Sequence, residues 1–229
     1  MGYLLLEGGA EFGGSMSEPD KQAIQLAGGL DAPIVILPTA AAPDHNDGRA
    51  GRNGLRWFQS LGASHVEVLP VTDKSSADKP DYAERVHAAK LIYLLGGFPR
   101  YLGETLRGSR VWDSVLAAYQ DGAVIGGSSA GAMVLCKHYY DPYENKLLSG
   151  LNLLPNCCVL PHHYTFGRQW ANPLIQLLPH ATLIGIDERT GILNDLSGRW
   201  TVYGAGSVTL YRSGKKPEVH ARGGQFILD

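Results

Sequence analysis

Cysteine is scarce in this chain. The 229 residues hold three, Cys136, Cys157 and Cys158. An odd number at these spacings excludes a disulfide framework and leads us to expect free thiols in a reducing compartment. Long apolar runs are missing too. None has the length of a membrane span, and no charged segment followed by an apolar core opens the chain. The short run in "MGYLLLEGGAEF" stops at Glu7 and suits a buried strand. A cytoplasmic protein is therefore expected. Excess charge is lacking as well: the formal net charge is -2, which argues against the basic face of a nucleic-acid binder. No GxGxxG fingerprint is present. Gly126 to Gly131 has P-loop glycine spacing, but Ala132 and Met133 follow where a phosphate cradle needs Lys and a hydroxyl. "CCVLPHH" gathers two Cys and two His without the paired spacing of a zinc site. Buried strand cysteines are expected there, and no metal or cofactor.

What is there is a core and a rhythm. Hydrophobic residues make up 44% of the chain, enough to exclude disorder. Apolar runs alternate with amphipathic stretches. "YLLLEGG", "APIVILPTAA", "HVEVLPV", "KLIYLLGG" and "GAVIGGSS" read as strands. Helices are expected over 17–28, 51–62, the end of "SSADKPDYAERVHAA", and 100–121. Further on come "CCVLPHHY", a helix near 167–179, "ATLIGIDE" and a C-terminal β-hairpin, "GRWTVYGAGSVTLYRSGK". Strands that are apolar throughout and alternate with helices indicate a parallel sheet covered on both faces. No linker, repeat or low-complexity tract interrupts it. The expectation is one doubly wound α/β domain over residues 1–229 with a mostly parallel central sheet. Reactive groups in such sheets gather beyond the carboxyl ends of the strands.

"AVIGGSSAGAMVL", residues 123–135, is the most informative stretch. Gly127-Ser128-Ser129-Ala130-Gly131 fits GxSxG between an expected strand and an expected helix, the context that seats a nucleophile on a sharp turn. Backbone N–H groups at the helix start can then meet a developing oxyanion. Only Ser129 has glycines two residues away on both sides. A nucleophilic serine needs a base and the base needs an orienting acid. His162 and His163 both stand at a strand end, and "LIGIDERTG" ends a strand at Asp187 and Glu188. The order Ser129, His163, Glu188 follows. Asp141 and Glu144, in "YYDPYENK", stay open as alternative acids.

At these residues the sequence resembles the serine peptidases of the peptidase E and cyanophycinase family, whose sheet is related to that of class I glutamine amidotransferases. "GGSSAGAMVL" is similar to the family's elbow, "LPHHYT" to its His-Phe/Tyr segment and "GIDERTG" to its Ile-Asp-Glu segment. The resemblance puts the base on His163 and Glu188 beside it. It also implies an oxyanion hole made by the N–H groups of Gly97, in "YLLGGFPRYL", and Ala130. The chain departs from the family at Phe98-Pro99, where a polar pair is usual, and in having only Arg168 soon after the histidines. Arg168 is the candidate for binding a substrate carboxylate. The implied activity is hydrolysis of a short peptide or related amide through an acyl-enzyme, without cofactor or metal. The alternatives are a non-catalytic binding protein of the same fold, and an amidase or esterase on another substrate. The expected partner is a small peptide, not nucleic acid or membrane, and a homodimer is compatible with the chain.

Overall fold

The computed structural model describes residues 1–228. Five strands, β1 (Tyr3–Glu7), β2 (Ile34–Leu37), β3 (Val66–Val68), β4 (Leu91–Leu94) and β5 (Val124–Ser128), form its parallel centre. Apart from the partly exposed Tyr3, strands β1, β2, β4 and β5 are buried along their whole length. That explains why they read as unbroken apolar runs. Helices α1 (Ser17–Leu26), α2 (Asp47–Ser60), α3 (Lys74–Ala77), α4 (Pro80–Ala88), α5 (Pro99–Leu106), α6 (Arg110–Gln120) and α7 (Ala130–Leu135) connect and cover them. One core, containing Leu4, Val35, Ile92 and Ile125, packs on one face of the sheet. A second, with Leu5, Ile36, Phe58 and Tyr93, fills the other. The alternation of Leu4 and Leu5 between the two follows from the two-residue period of a strand.

Beyond α7 the chain builds additional sheets. Strands β6 (His138–Asp141) and β7 (Lys146–Ser149) pair only with each other. They are followed by β8 (Cys157–Leu160), α8 (Ala171–Leu177) and β9 (Thr182–Ile186). Next come β10 (Thr190–Asn194), β11 (Arg199–Gly204), β12 (Ser207–Tyr211), β13 (Glu218–Ala221) and β14 (Gln225–Ile227). The central sheet has eight strands in the order β14-β11-β10-β1-β5-β4-β2-β3, and a second has the order β13-β12-β9-β8. The C-terminal strands are antiparallel, but β11 and β12, expected to pair with one another, do not. β11 joins β10 and β14, whereas β12 joins β9 and β13. The chain changes sheets at Gly204–Gly206. There the Gly204 backbone turns to φ +94° and Ala205 N–H donates to the Arg189 carbonyl. Cys157 and Cys158 are buried in β8, and burial pushes both thiols up to about 12. Among the described residues no helix is long and apolar enough to cross a membrane.

Candidate active site

Strands β1 and β5 lie side by side in the middle of the sheet, with Glu7 opposite Ser128. Their carboxyl ends therefore open onto the same edge. The chain leaves β5 and enters α7 through a single residue, Ser129, at φ 47° and ψ -110°. This strained conformation is rare for a residue with a side chain. The turn fits only because its flanks are glycines. A Cβ on Gly127 would lie 2.6 Å from the backbone of Gly131, and one on Gly131 would lie 2.2 Å from the Leu94 carbonyl oxygen. The Ser129 N–H donates to the Glu7 carbonyl at 3.0 Å, fixing the elbow to β1. Ser128 is fully buried, and its hydroxyl donates to Glu11 Oε2 at 2.8 Å.

The two adjacent histidines lie just beyond β8, and the structure gives them different partners. Ser129 Oγ is 3.0 Å from Nε2 of His162, not of His163. His162 Nδ1 is 2.8 Å from Glu188 Oε1. A carboxylate on Nδ1 fixes the proton there, so Nε2 is left to accept the serine hydroxyl. His163 is turned into the second sheet. Its Nε2 meets the Tyr211 hydroxyl at 2.8 Å and its Nδ1 meets Asp187 at 3.4 Å. Burial lowers its pKa, although Asp187 acts the other way. The expectation for His163 is therefore corrected. After Pro161 the backbone of His162 takes φ +47°, with its N–H donating to the Gly8 carbonyl at 2.7 Å, and this brings the first ring to the elbow. The His162 ring is held between Gly9 and the Phe166 ring, which stacks on it at 4.9 Å and 22°.

Glu188, expected beside His163, lies instead beside His162. The alternative acids are elsewhere. Glu144 is paired with Arg100 and Lys146, and Asp141 accepts from the Tyr143 N–H. Arg168 is exposed, and its charge acts on both Tyr211 and His163. It does not border the cleft beside the elbow. That cleft, of about 610 Å³, is lined by Glu11, Asp44, Asn53, Arg56, Trp57, Gly97 and Phe98 among others. Gly96, also on its wall, packs against Ser129. Ala130 opens α7, where backbone N–H groups have no acceptor within the helix. Phe98 does not fill the cleft, since its ring stacks on Tyr143 at 4.9 Å.

Sequence reasoning missed three acids here. Glu11 borders the cleft. Glu7 and Asp20 are fully buried behind the elbow. Burial, then the nearby Asp20, raises Glu7 well above the usual carboxylate range; burial raises Asp20 to about 7. Glu7 accepts from the Tyr93 hydroxyl, and Asp20 accepts from Trp57 Nε1 at 2.7 Å. The other oxygen of each, Glu7 Oε1 and Asp20 Oδ1, has no donor. Buried together, with Asp20 raising Glu7, the two carboxyls cannot both ionise, so one of them keeps a proton. Their pKa values are raised in the fold, so it holds more protons than the unfolded chain. Their contribution is complete below about pH 4 and is lost as pH rises through about 7. An Asn at position 20 keeps the acceptor for Trp57 and removes one of the two titrating carboxyls. Asp20→Asn is therefore expected to flatten the fall in Tm between pH 5 and 8. Thermal denaturation across that range checks it, and equal slopes in the two proteins would refute the raised pKa of Asp20.

A serine at a strand-to-helix elbow, in line with a histidine and a carboxylate, is the arrangement that serine hydrolases use. Residues 4–196 match peptidase family S51, and the chain belongs to that family. It is similar to a crystal structure of a peptidase from an acI-B1 Actinobacterium, with a TM-score of 0.89, 30% identity and 100% and 97% of the two chains covered. A cyanophycinase of Geminocystis herdmanii is 30% identical over 219 residues, covering 90% of this chain and 79% of its own. One from Synechococcus elongatus is 30% identical over 203 residues, or 81% of this chain. This chain spans 60% of the length of that relative. A putative peptidase E from Listeria monocytogenes EGD-e shares the fold at a TM-score of 0.67 and 18% identity, over 90% of this chain and all of its own.

Proposed function

We propose that the chain is a serine peptidase that cleaves a short peptide or related amide through an acyl-enzyme. The observation that carries this is the hydrogen-bonded line from Ser129 through His162 to Glu188. Membership of a peptidase family supports an amide substrate. Ser129 Oγ attacks the carbonyl carbon while its proton passes to His162 Nε2. Glu188 stabilises the imidazolium that forms. The C–N bond breaks as His162 returns the proton to the leaving amine. Water, deprotonated by the same nitrogen, then releases the acid and restores the serine. The N–H groups of Gly97 and Ala130 are assigned to the oxyanion. Ser128 is not the nucleophile in this reading, because it is buried and its hydroxyl is committed to Glu11.

The test is labelling with a fluorophosphonate, followed by peptide mapping, together with hydrolysis of a dipeptide panel. The label is expected on Ser129. Labelling of Ser128 instead, or no labelling with no turnover of any member of the panel, would refute the reading.

A further inference from the structure

Glu11 has no part in the triad, yet it is built into the site. Its Oε1 and the Ser129 Cβ flank the same point on Gly96, at 3.3 and 3.4 Å from where a Cβ would sit there. Its Oε2 is held by the buried Ser128 hydroxyl. The carboxylate borders the cleft, on the Gly96 side that Ser129 also packs against. Left alone it works against the reaction. Negative charge builds on the carbonyl oxygen in the transition state, and a neighbouring carboxylate opposes it. A cation on the substrate reverses that effect, and its position is constrained. An α-ammonium nitrogen stands only about 2.5 Å from the carbonyl carbon of its own residue. An ammonium so close to the acyl carbon can lie between Ser129 and Glu11.

We propose that Glu11 is the specificity residue that binds the free α-ammonium group of the residue supplying the acyl group. This rests on the serine peptidase reading and deepens it. Cleavage then falls after the first residue, because an acylated or peptide-bonded nitrogen in that place carries no charge and leaves the carboxylate uncompensated. Arg56 is the cation on the cleft wall, with no ion-pair partner among the described residues. It stands ready for negative charge elsewhere on the substrate.

The test uses the dipeptides Asp-Ala, Glu-Ala, Arg-Ala and Ala-Ala, each with its N-acetyl counterpart. For whichever pair turns over best, the ratio of kcat/KM for the free-amine to the acetylated form is expected to be large. Glu11→Gln should collapse it by about tenfold to a hundredfold. Binding of the same peptides to the Ser129→Ala protein, measured by calorimetry, is independent of turnover. There the free-amine peptide should bind more tightly than the acetylated one, and Glu11→Gln in that background should remove the preference. Equal handling of acetylated and free peptides overturns the proposal, as does Glu11→Gln weakening both alike. An effect confined to Arg-Ala that survives acetylation would place a cationic side chain at Glu11 and also overturn it. Failure of the serine peptidase reading would show separately, as absence of fluorophosphonate labelling while the calorimetric preference persists.

Discussion

Ser129→Ala and His162→Ala are each expected to lower kcat by at least about 10⁴. His163→Ala should cost only about tenfold. In the proposed mechanism these two variants remove members of one proton-transfer unit, so their effects do not add. The double variant should be no slower than the worse single one. His163 acts at one remove. Its ring satisfies the Tyr211 hydroxyl and approaches Asp187, which in turn accepts from the Ser207 N–H and hydroxyl. That network anchors the segment on which His162 takes its left-handed conformation. Loss of His163 leaves buried polar groups unpaired, at about 1–3 kcal/mol, and lowers Tm. His162, partly exposed beside the cleft, should show little change in Tm. Steady-state kinetics with thermal denaturation separates the two histidines. An inactive His163→Ala beside an active His162→Ala would return the base to the residue that the family resemblance indicated.

The reason the sequence pointed to His163 while the structure brings His162 to Ser129 is physical. Adjacent residues at a strand end face opposite sides, so one of the pair must reach the elbow and the other the second sheet. Which does so depends on the backbone rotation after Pro161, which no side-chain pattern encodes. Each histidine also has its own acid, Glu188 or Asp187, so both pairs look complete in one dimension. The parallel strands were legible because full burial demands unbroken apolar runs. The turn at 127–131 was legible because two glycines are sterically required. The crossing between β11 and β12 was not, since two alternating strands around "GAG" look like a hairpin whether or not they pair. Glu7, Glu11 and Asp20 were opaque for a further reason. Tertiary packing alone brings them to the elbow, and in sequence they are ordinary acids near a strand end and a helix start.

Gly9→Ala is expected to lower kcat by about 10² or more with the fold intact. Gly9 has φ +114°, and a Cβ there would lie 2.3 Å from His162 Cε1 and 2.8 Å from both ring nitrogens. Phe166, stacked on the ring at 4.9 Å, restricts its retreat. The ring must rotate or shift, and either movement spoils the bonds to Ser129 and Glu188 together. Misplacement of a catalytic group by about 1 Å is enough for a loss of that size. The positive φ adds a backbone cost of about 1–2 kcal/mol, small beside a cooperative fold's total. Space restored behind the ring should restore part of the rate. Gly9→Ala combined with Phe166→Ala is therefore expected to be faster than Gly9→Ala alone, although Phe166→Ala by itself loses a stacking contact. The measurement is kcat for the three variants, with circular dichroism and Tm to show that each is folded. Gly9→Ala at within about threefold of the parent rate would mean that the His162 ring has another productive position, and the confinement between Gly9 and Phe166 would then have no part in catalysis.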